Sequence, residues 1–137
     1  MVYPLETVRV GRENMVRNQV FFSEKRKYPR VFMDLPVDYW VRHDTYAHGG
    51  IVLDASEAGF LIYSVEDIPI GTKLKIAVLF PREYELANLE VAAEIIRKKV
   101  SQEGEEGYQY GIRFTKIMKE DYKKLRELFI GKLLSDS

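Results

Sequence analysis

Val31 to Val41 reads VFMDLPVDYWV. Apolar residues occupy alternate positions: Val31, Met33, Leu35, Val37, Tyr39 and Val41 share one face, and Asp34, Pro36 and Asp38 share the other. A period of two belongs to a pleated strand with one face buried. Proline cannot donate to a strand ladder, so Pro36 puts this strand at an edge or bends it there. The pattern continues downstream. GGIVLDAS (49–56) and GFLIYS (59–64) read as a second and a third strand. EDIPIGT (66–72) is a loop punctuated by Pro69 and Gly71. KLKIAVLF (73–80) sets Leu74, Ile76, Val78 and Phe80 on one face. LANLEVAAEIIRKKV (86–100) does the same with Leu89, Val91, Ala93 and Ile95, and YQYGIRFTKI (108–117) with Tyr108, Tyr110, Ile112 and Phe114. QEGEEG (102–107) is the turn between them.

Six strands at even spacing, with no helix between them, point to a mainly β fold: an antiparallel sheet closed into a small barrel over about 31–117. The period then changes. Met118, Tyr122, Leu125, Phe129 and Leu133 recur every three or four residues, one stripe of a helix over about 118–134 that should pack on the barrel. Glu120 and Asp121 in its first turn and Lys132 in its last complement the helix dipole. Upstream, TVRV (7–10) alternates like a short strand, and RENMVRNQVFF (12–22) reads as a helical turn or two.

The bulk composition narrows the function. A chain of 137 residues is one domain and buries roughly two-thirds of its unfolded surface without a staple. There is no cysteine, hence no disulfide, no thiolate nucleophile and no thiolate metal site. Lys plus Arg equals Asp plus Glu at 21 each, so no global field attracts polyanions, and anion binding has to come from local clustering. No apolar run approaches the roughly 18 residues that span a bilayer. The expectation is a cytoplasmic protein with no membrane insertion.

Two short motifs stand out. KRKYPR (25–30) carries four cations in six residues, and Pro29 disfavours helix at Tyr28, so the segment is an extended or turning loop. Arg26 and Arg30 present two guanidinium forks, each able to make paired hydrogen bonds to a phosphate or to O6 and N7 of guanine. DASEAG (54–59) follows the second strand. Ionised Asp54 accepts only, which suits the N1 and N2 donors of guanine; Ser56 offers a hydroxyl; Gly59 admits a left-handed turn or a close approach. Taken singly, each has a plainer reading. Basic loops commonly stand in water, and Asp, Ser and Gly are ordinary turn formers.

Together, RKYPR before the first barrel strand and DASEAG at the end of the next resemble the PilZ family of cyclic di-GMP receptors. That family's signature is an R-x-x-x-R loop followed by D/N-x-S-x-x-G. Both motifs are complete here and in the family's order, and YGIRF (110–114) before a C-terminal helix resembles the family's closing segment. The resemblance divides the chain into an N-terminal arm, 1–21, and a PilZ domain, 22–137. It implies that Arg26 and Arg30 wrap the dinucleotide, meeting phosphates and guanine faces, and that Asp54, Ser56 and Gly59 complete the pocket. Lys25 and Tyr28 stand at its periphery. A basic residue at the position of Lys25 accompanies an intercalated ligand dimer in the family and an apolar one a single ligand, which leaves one or two molecules per domain open. The implied action is a ligand-switched receptor for motility, biofilm or exopolysaccharide control that re-aims residues 1–24 toward a downstream protein partner. The alternative is a PilZ adaptor that works through protein contacts without ligand.

Other classes fit less well. His43 and His48 lie near Asp44 and Asp54, but two histidines without a metal or nucleophile motif do not make an enzyme, so no catalytic residue, metal site or cofactor is expected. A polymeric nucleic acid is not expected as partner either: net charge is zero and most aromatics fall on the inward face of strands. Trp40 faces away from the main apolar stripe.

Overall fold

The alternation over 31–117 is realised as strand pairing. The structure, a computed structural model, describes residues 14–16, 19–21, 30–42, 44–101 and 106–135. Its strands are β1 (Asn14–Val16), β2 (Gln19–Phe21), β3 (Val31–Val41), β4 (His48–Ala55), β5 (Gly59–Ser64), β6 (Lys73–Arg82), β7 (Glu85–Val100) and β8 (Tyr108–Met118), followed by helix α1 (Lys119–Ser135). The order β8-β5-β4-β3-β6-β7, with β7 also paired to β8, joins the six expected strands into a closed antiparallel ring. Closure removes the long unpaired edges an open sheet would carry.

The reading of 12–22 as helix is corrected. Residues 14–16 and 19–21 are strands, with Met15 opposite Val20. The reason is tertiary. β5 pairs with β8 only from Tyr108 to Arg113, and β2 takes up the end of β8, Gln19 against Met118 and Val20 against Ile117. A vacant ladder outweighs the weak helical preference of so short a segment.

Core residues are those the alternation selects. Val31, Met33, Val37 and Tyr39 of β3, the four expected residues of β6 and the four of β7 are all buried. Each large aliphatic side chain contributes about 1.5–3 kcal/mol by leaving water. At Pro36 the strand is paired on one side only, since β6 joins β3 from Val37 onward. A bulge lies just before it, between Phe32 and Leu35, with Asp34 in the left-handed region at φ 59°. The proline therefore marks a local edge beside a bend.

The two ends of the ring are closed differently. At the end where β8 terminates, α1 packs on β3, β7 and β8 and buries Tyr122, Leu125 and Phe129. Met118, expected at the head of that stripe, is instead the last residue of β8 and is exposed. The side chains of Lys132 and Leu133 lie outside the described ones. At the opposite end, the loop 65–72 inserts Ile68, whose N–H donates to the Tyr110 hydroxyl at 2.8 Å, and Tyr110 in turn donates to the Glu66 carbonyl. Tyr39 and Ser64 hydrogen-bond there at 2.6 Å. Burial pushes the phenols of Tyr39 and Tyr110 above their ordinary range, so both stay neutral.

Leu125 is fully buried between helix and ring. Leu125→Ala should cost about 2–5 kcal/mol, read as a lowered midpoint in urea denaturation.

Candidate ligand-binding site

Outward-facing residues of neighbouring strands form rows across a sheet. One row runs over five strands: Phe32 of β3 is opposite Asp54 of β4, Asp54 opposite Leu61 of β5, Leu61 opposite Gly111 of β8, and Gly111 opposite Arg97 of β7. From Asp54 to Arg97 this is three strand spacings, about 14 Å along the sheet. Arg30, immediately before β3, reaches back to the row, and its Nε–H donates to Asp54 Oδ1 at 2.6 Å. An arginine of the first motif and the aspartate of the second, 24 residues apart in sequence, thus meet on the outer surface.

Strict alternation would not produce this row. Val52 points into the core, so Asp54, two residues on, would follow it inward. A bulge between Val52 and Asp54 changes the parity: Asp54 turns outward and Ala55 takes the buried position. β7 repeats the device. Ile95 is buried, and Arg97 would be too, but a bulge between Ile95 and Arg97 turns the arginine out. Re-aiming a side chain is a recurrent use of β-bulges.

The turn 55–59 owes its shape to Ser56 and Gly59. The Ala58 N–H donates to Ser56 Oγ at 3.1 Å, and the Ser56 N–H donates to the Gly59 carbonyl at 2.8 Å. Ser56 is buried, so its hydroxyl holds the turn that ends β4 and starts β5. Gly59 lies against β8: a Cβ there would stand 2.1 Å from the Ile112 carbonyl oxygen. Both residues build the turn next to Asp54. Glu57, at its tip, accepts from Arg126 of α1 at 2.7 Å and ties the turn to the helix.

A cavity of about 520 Å³ lies over the row, with Arg30 and Asp54 on one side, Leu61 and Gly111 beneath, and Arg97, Lys98 and Lys99 on the other side. Ile70 and Ile96 give it an apolar rim. Its size is that of a small-molecule site. Of its cations, Lys98 is engaged: it donates to Asp67, which holds that carboxyl below the usual carboxylate range and the lysine above its own, and it lies 4.8 Å from the centre of the Tyr108 ring. Arg97 and Lys99 make no hydrogen bond or ion pair among the described residues. Among the described residues Arg30 is bonded through Nε–H alone, to Asp54. A second depression of about 570 Å³ lies between the β6–β7 turn and α1, but its cations are taken, Arg82 by Glu127 at 3.0 Å and Lys124 by the Asn88 carbonyl at 2.9 Å. Unsatisfied cations beside apolar surface single out the first cavity for an anion with flat apolar faces.

The sequence matches the PilZ domain family over residues 24–131, most of the chain. The chain belongs to the PilZ family. Among solved structures, the inhibitor of motility MotI/DgrA of Bacillus subtilis is similar to it, with a TM-score of 0.69, 17% identity, and 86% of this chain covered. The match takes in 55% of that protein, so this chain spans little more than half its length; at that identity the likeness is one of fold. No curated protein sequence matches.

Of the expected PilZ site residues, Arg30 and Asp54 line the cavity, Ser56 and Gly59 build the adjoining turn without lining it, and Lys25, Arg26 and Tyr28, like the N-terminal arm before Asn14, lie outside the described residues. Arg97 was not singled out from sequence. Its parity is set by a bulge, and the usable sign was Gly111 in a strand otherwise rich in aromatic and branched residues, which marks close approach by another group. His48 stacks on Tyr39 with 5.3 Å between ring centres and contacts Asp44 at 3.2 Å, while His43 lies outside the described residues. Among the described residues no group of His, Asp or Glu could hold a metal ion. Trp40 lies half-buried on the outer surface with Lys75 5.4 Å from its ring centre.

Gly59→Ala should separate β5 from β8 and lower stability by about 1–3 kcal/mol in thermal or urea unfolding. Gly49→Ala, where a Cβ would meet nothing within 4 Å, is the control and should leave the midpoint nearly unchanged.

Proposed function

We propose that this PilZ domain binds cyclic di-GMP at the cavity beside Arg30 and Asp54 and acts as a ligand-switched receptor. The observation that carries the reading is the contact between Arg30 and Asp54 at the edge of a cavity whose Arg97 and Lys99 have no partner among the described residues. It brings an arginine of the R-x-x-x-R motif and the aspartate of the D-x-S-x-x-G motif to one place. The PilZ family is a cyclic di-GMP-binding family. The ligand is a dianion with two guanines. Its phosphates need cations, supplied by Arg30 and, from the loop, by Arg26 and Lys25. Its guanine edges need both a donor fork and an acceptor-only carboxylate, which are Arg30 and Asp54. Tyr28 would border it.

Apo and bound states would differ at the Arg30–Asp54 pair. Both side chains are partly exposed, at 43% and 27%, so the pair is weak enough for a ligand phosphate to redirect the fork. Differential contacts of this kind order a loop. The signal would pass to residues 1–24 upstream, or through Glu57 and Arg126 to α1. The domain would then be a binding module with no catalytic residue and no resident cofactor or metal. No helix among the described residues is long and apolar enough to cross a membrane. As a receptor for a cytoplasmic second messenger, the protein would act in the cytoplasm without membrane insertion. Its partners would be one or two ligand molecules and a downstream protein, and not a nucleic acid polymer. The structural neighbour is named an inhibitor of motility, which makes motility the first output to examine, before biofilm and exopolysaccharide.

Isothermal titration of the full chain with cyclic di-GMP, beside cyclic di-AMP and GTP, should give saturable binding selective for the first, and its stoichiometry decides between one and two molecules. Charge-assisted hydrogen bonds of roughly 1.5–3 kcal/mol make Arg26→Ala and Arg30→Ala each weaken binding about 10- to 100-fold. Absence of binding by the wild-type chain would move the reading to an adaptor that works through protein contacts alone.

A further inference from the structure

Arg97 lies opposite the motif residues across the cavity and has no part in either motif. Three observations bear on it. First, the bulge between Ile95 and Arg97 turns it outward, as the bulge in β4 turns out Asp54. Second, it is exposed yet makes no hydrogen bond or ion pair among the described residues, whereas Arg30, Arg82, Arg113 and Arg126 each hold a carboxylate. Third, its side chain lies across Gly111. A Cβ built on that glycine would stand 2.9 Å from Arg97 Nε, 3.1 Å from Nη2 and 3.2 Å from Cβ. Any other residue at 111 would lift the guanidinium off the sheet.

We propose that Arg97, laid across Gly111, is the platform on which one base of the bound dinucleotide stacks. The proposal rests on the cyclic di-GMP reading and names a residue outside the two motifs as part of that site. The surroundings favour a base over a phosphate. Leu61 lies beneath the cavity and Ile70 and Ile96 rim it, Ile96 beside Arg97 in β7, and an apolar border suits the face of a purine. Arg30, on the other side beside Asp54, is available to a phosphate, while Lys99 next to Arg97 adds a flexible point charge and no plane. A guanidinium is planar, weakly hydrated and always charged, and it stacks on aromatic faces where an ammonium cannot. Gly111 makes this possible by leaving the space beneath it empty.

The test is a double-mutant cycle read by titration of the full chain with cyclic di-GMP. Arg97→Ala should weaken binding roughly tenfold or more, and Arg97→Lys nearly as much, because the charge survives and the plane does not. Gly111→Ala should weaken binding too. The three atoms nearest its Cβ all belong to the Arg97 side chain, which can swing away into solvent, so its melting temperature should stay near wild type. In the Arg97→Ala background Gly111→Ala should add nothing, since the group it displaces is already gone. Wild-type binding with Arg97→Ala equally tight overturns the platform and leaves the cyclic di-GMP reading standing. Arg97→Lys binding like wild type overturns stacking, because a point charge then suffices. Additive losses in the cycle overturn the role of Gly111. A wild-type chain that does not bind overturns the functional reading, and the platform with it.

Discussion

In a closed ring of strands the pleat assigns every side chain to the core or to the outer surface, and a shift of one residue exchanges the two sets. That constraint governs this molecule. It makes the core continuous through β3, β6, β7 and β8, and taken strictly it would bury both Asp54 and Arg97. Each escapes through a bulge directly before it, in β4 and in β7. A third bulge, in β3, lies close by, with Phe32 paired to Asp54 at its start. Three of the ring's bulges lie beside the cavity; another, in β8 between Phe114 and Lys116, lies away from it. One inserted residue per strand converts a core position into a surface position while the strands on either side keep their pairing.

The energetics separate along the same line. Stability comes from the enclosed core, with α1 closing one end and the loop 65–72 the other. The outer row contributes little to it. The Arg30–Asp54 pair is partly exposed, and such pairs contribute about 0–1 kcal/mol. An interaction that weak is easily exchanged for contacts with a ligand phosphate. Ser56 and Gly59 belong to the stable side: they fix the turn, and through Glu57 and Arg126 the turn is joined to α1. A change at the cavity therefore has a short covalent and ionic route to the C-terminal helix.

Much of the fold was legible in the sequence because the signals were local and repeated. Alternation located all six strands of the ring, and the change of period after Ile117 located the helix. Pro36 correctly marked a place where β3 lacks a partner. Three things were not legible. The strands at 14–16 and 19–21 depend on a vacant ladder beside the end of β8, a tertiary fact that eleven residues of local pattern cannot carry. Met118 continues the helical spacing but ends a strand. The bulges leave no mark in composition, so the outward turn of Arg97 could not be read. For the site, the sequence pointed to Arg26, Arg30, Asp54, Ser56 and Gly59, with Lys25 and Tyr28 at the periphery; of these, Arg30 and Asp54 border a cavity and Ser56 and Gly59 form the turn beside Asp54. The structure adds that Ser56 and Gly59 are held by the needs of the turn itself, which sequence alone could not separate from ligand contact.

The central claim is that the row from Asp54 through Leu61 and Gly111 to Arg97 is the surface on which ligand sits. Amide chemical shifts of the labelled chain, followed during titration with cyclic di-GMP, test it most directly. The account predicts that the largest changes fall at Arg30, Asp54, Leu61, Gly111 and Arg97. A silent row, with changes confined to the β6–β7 turn around Glu83 and Leu86 and to Lys124, would contradict it.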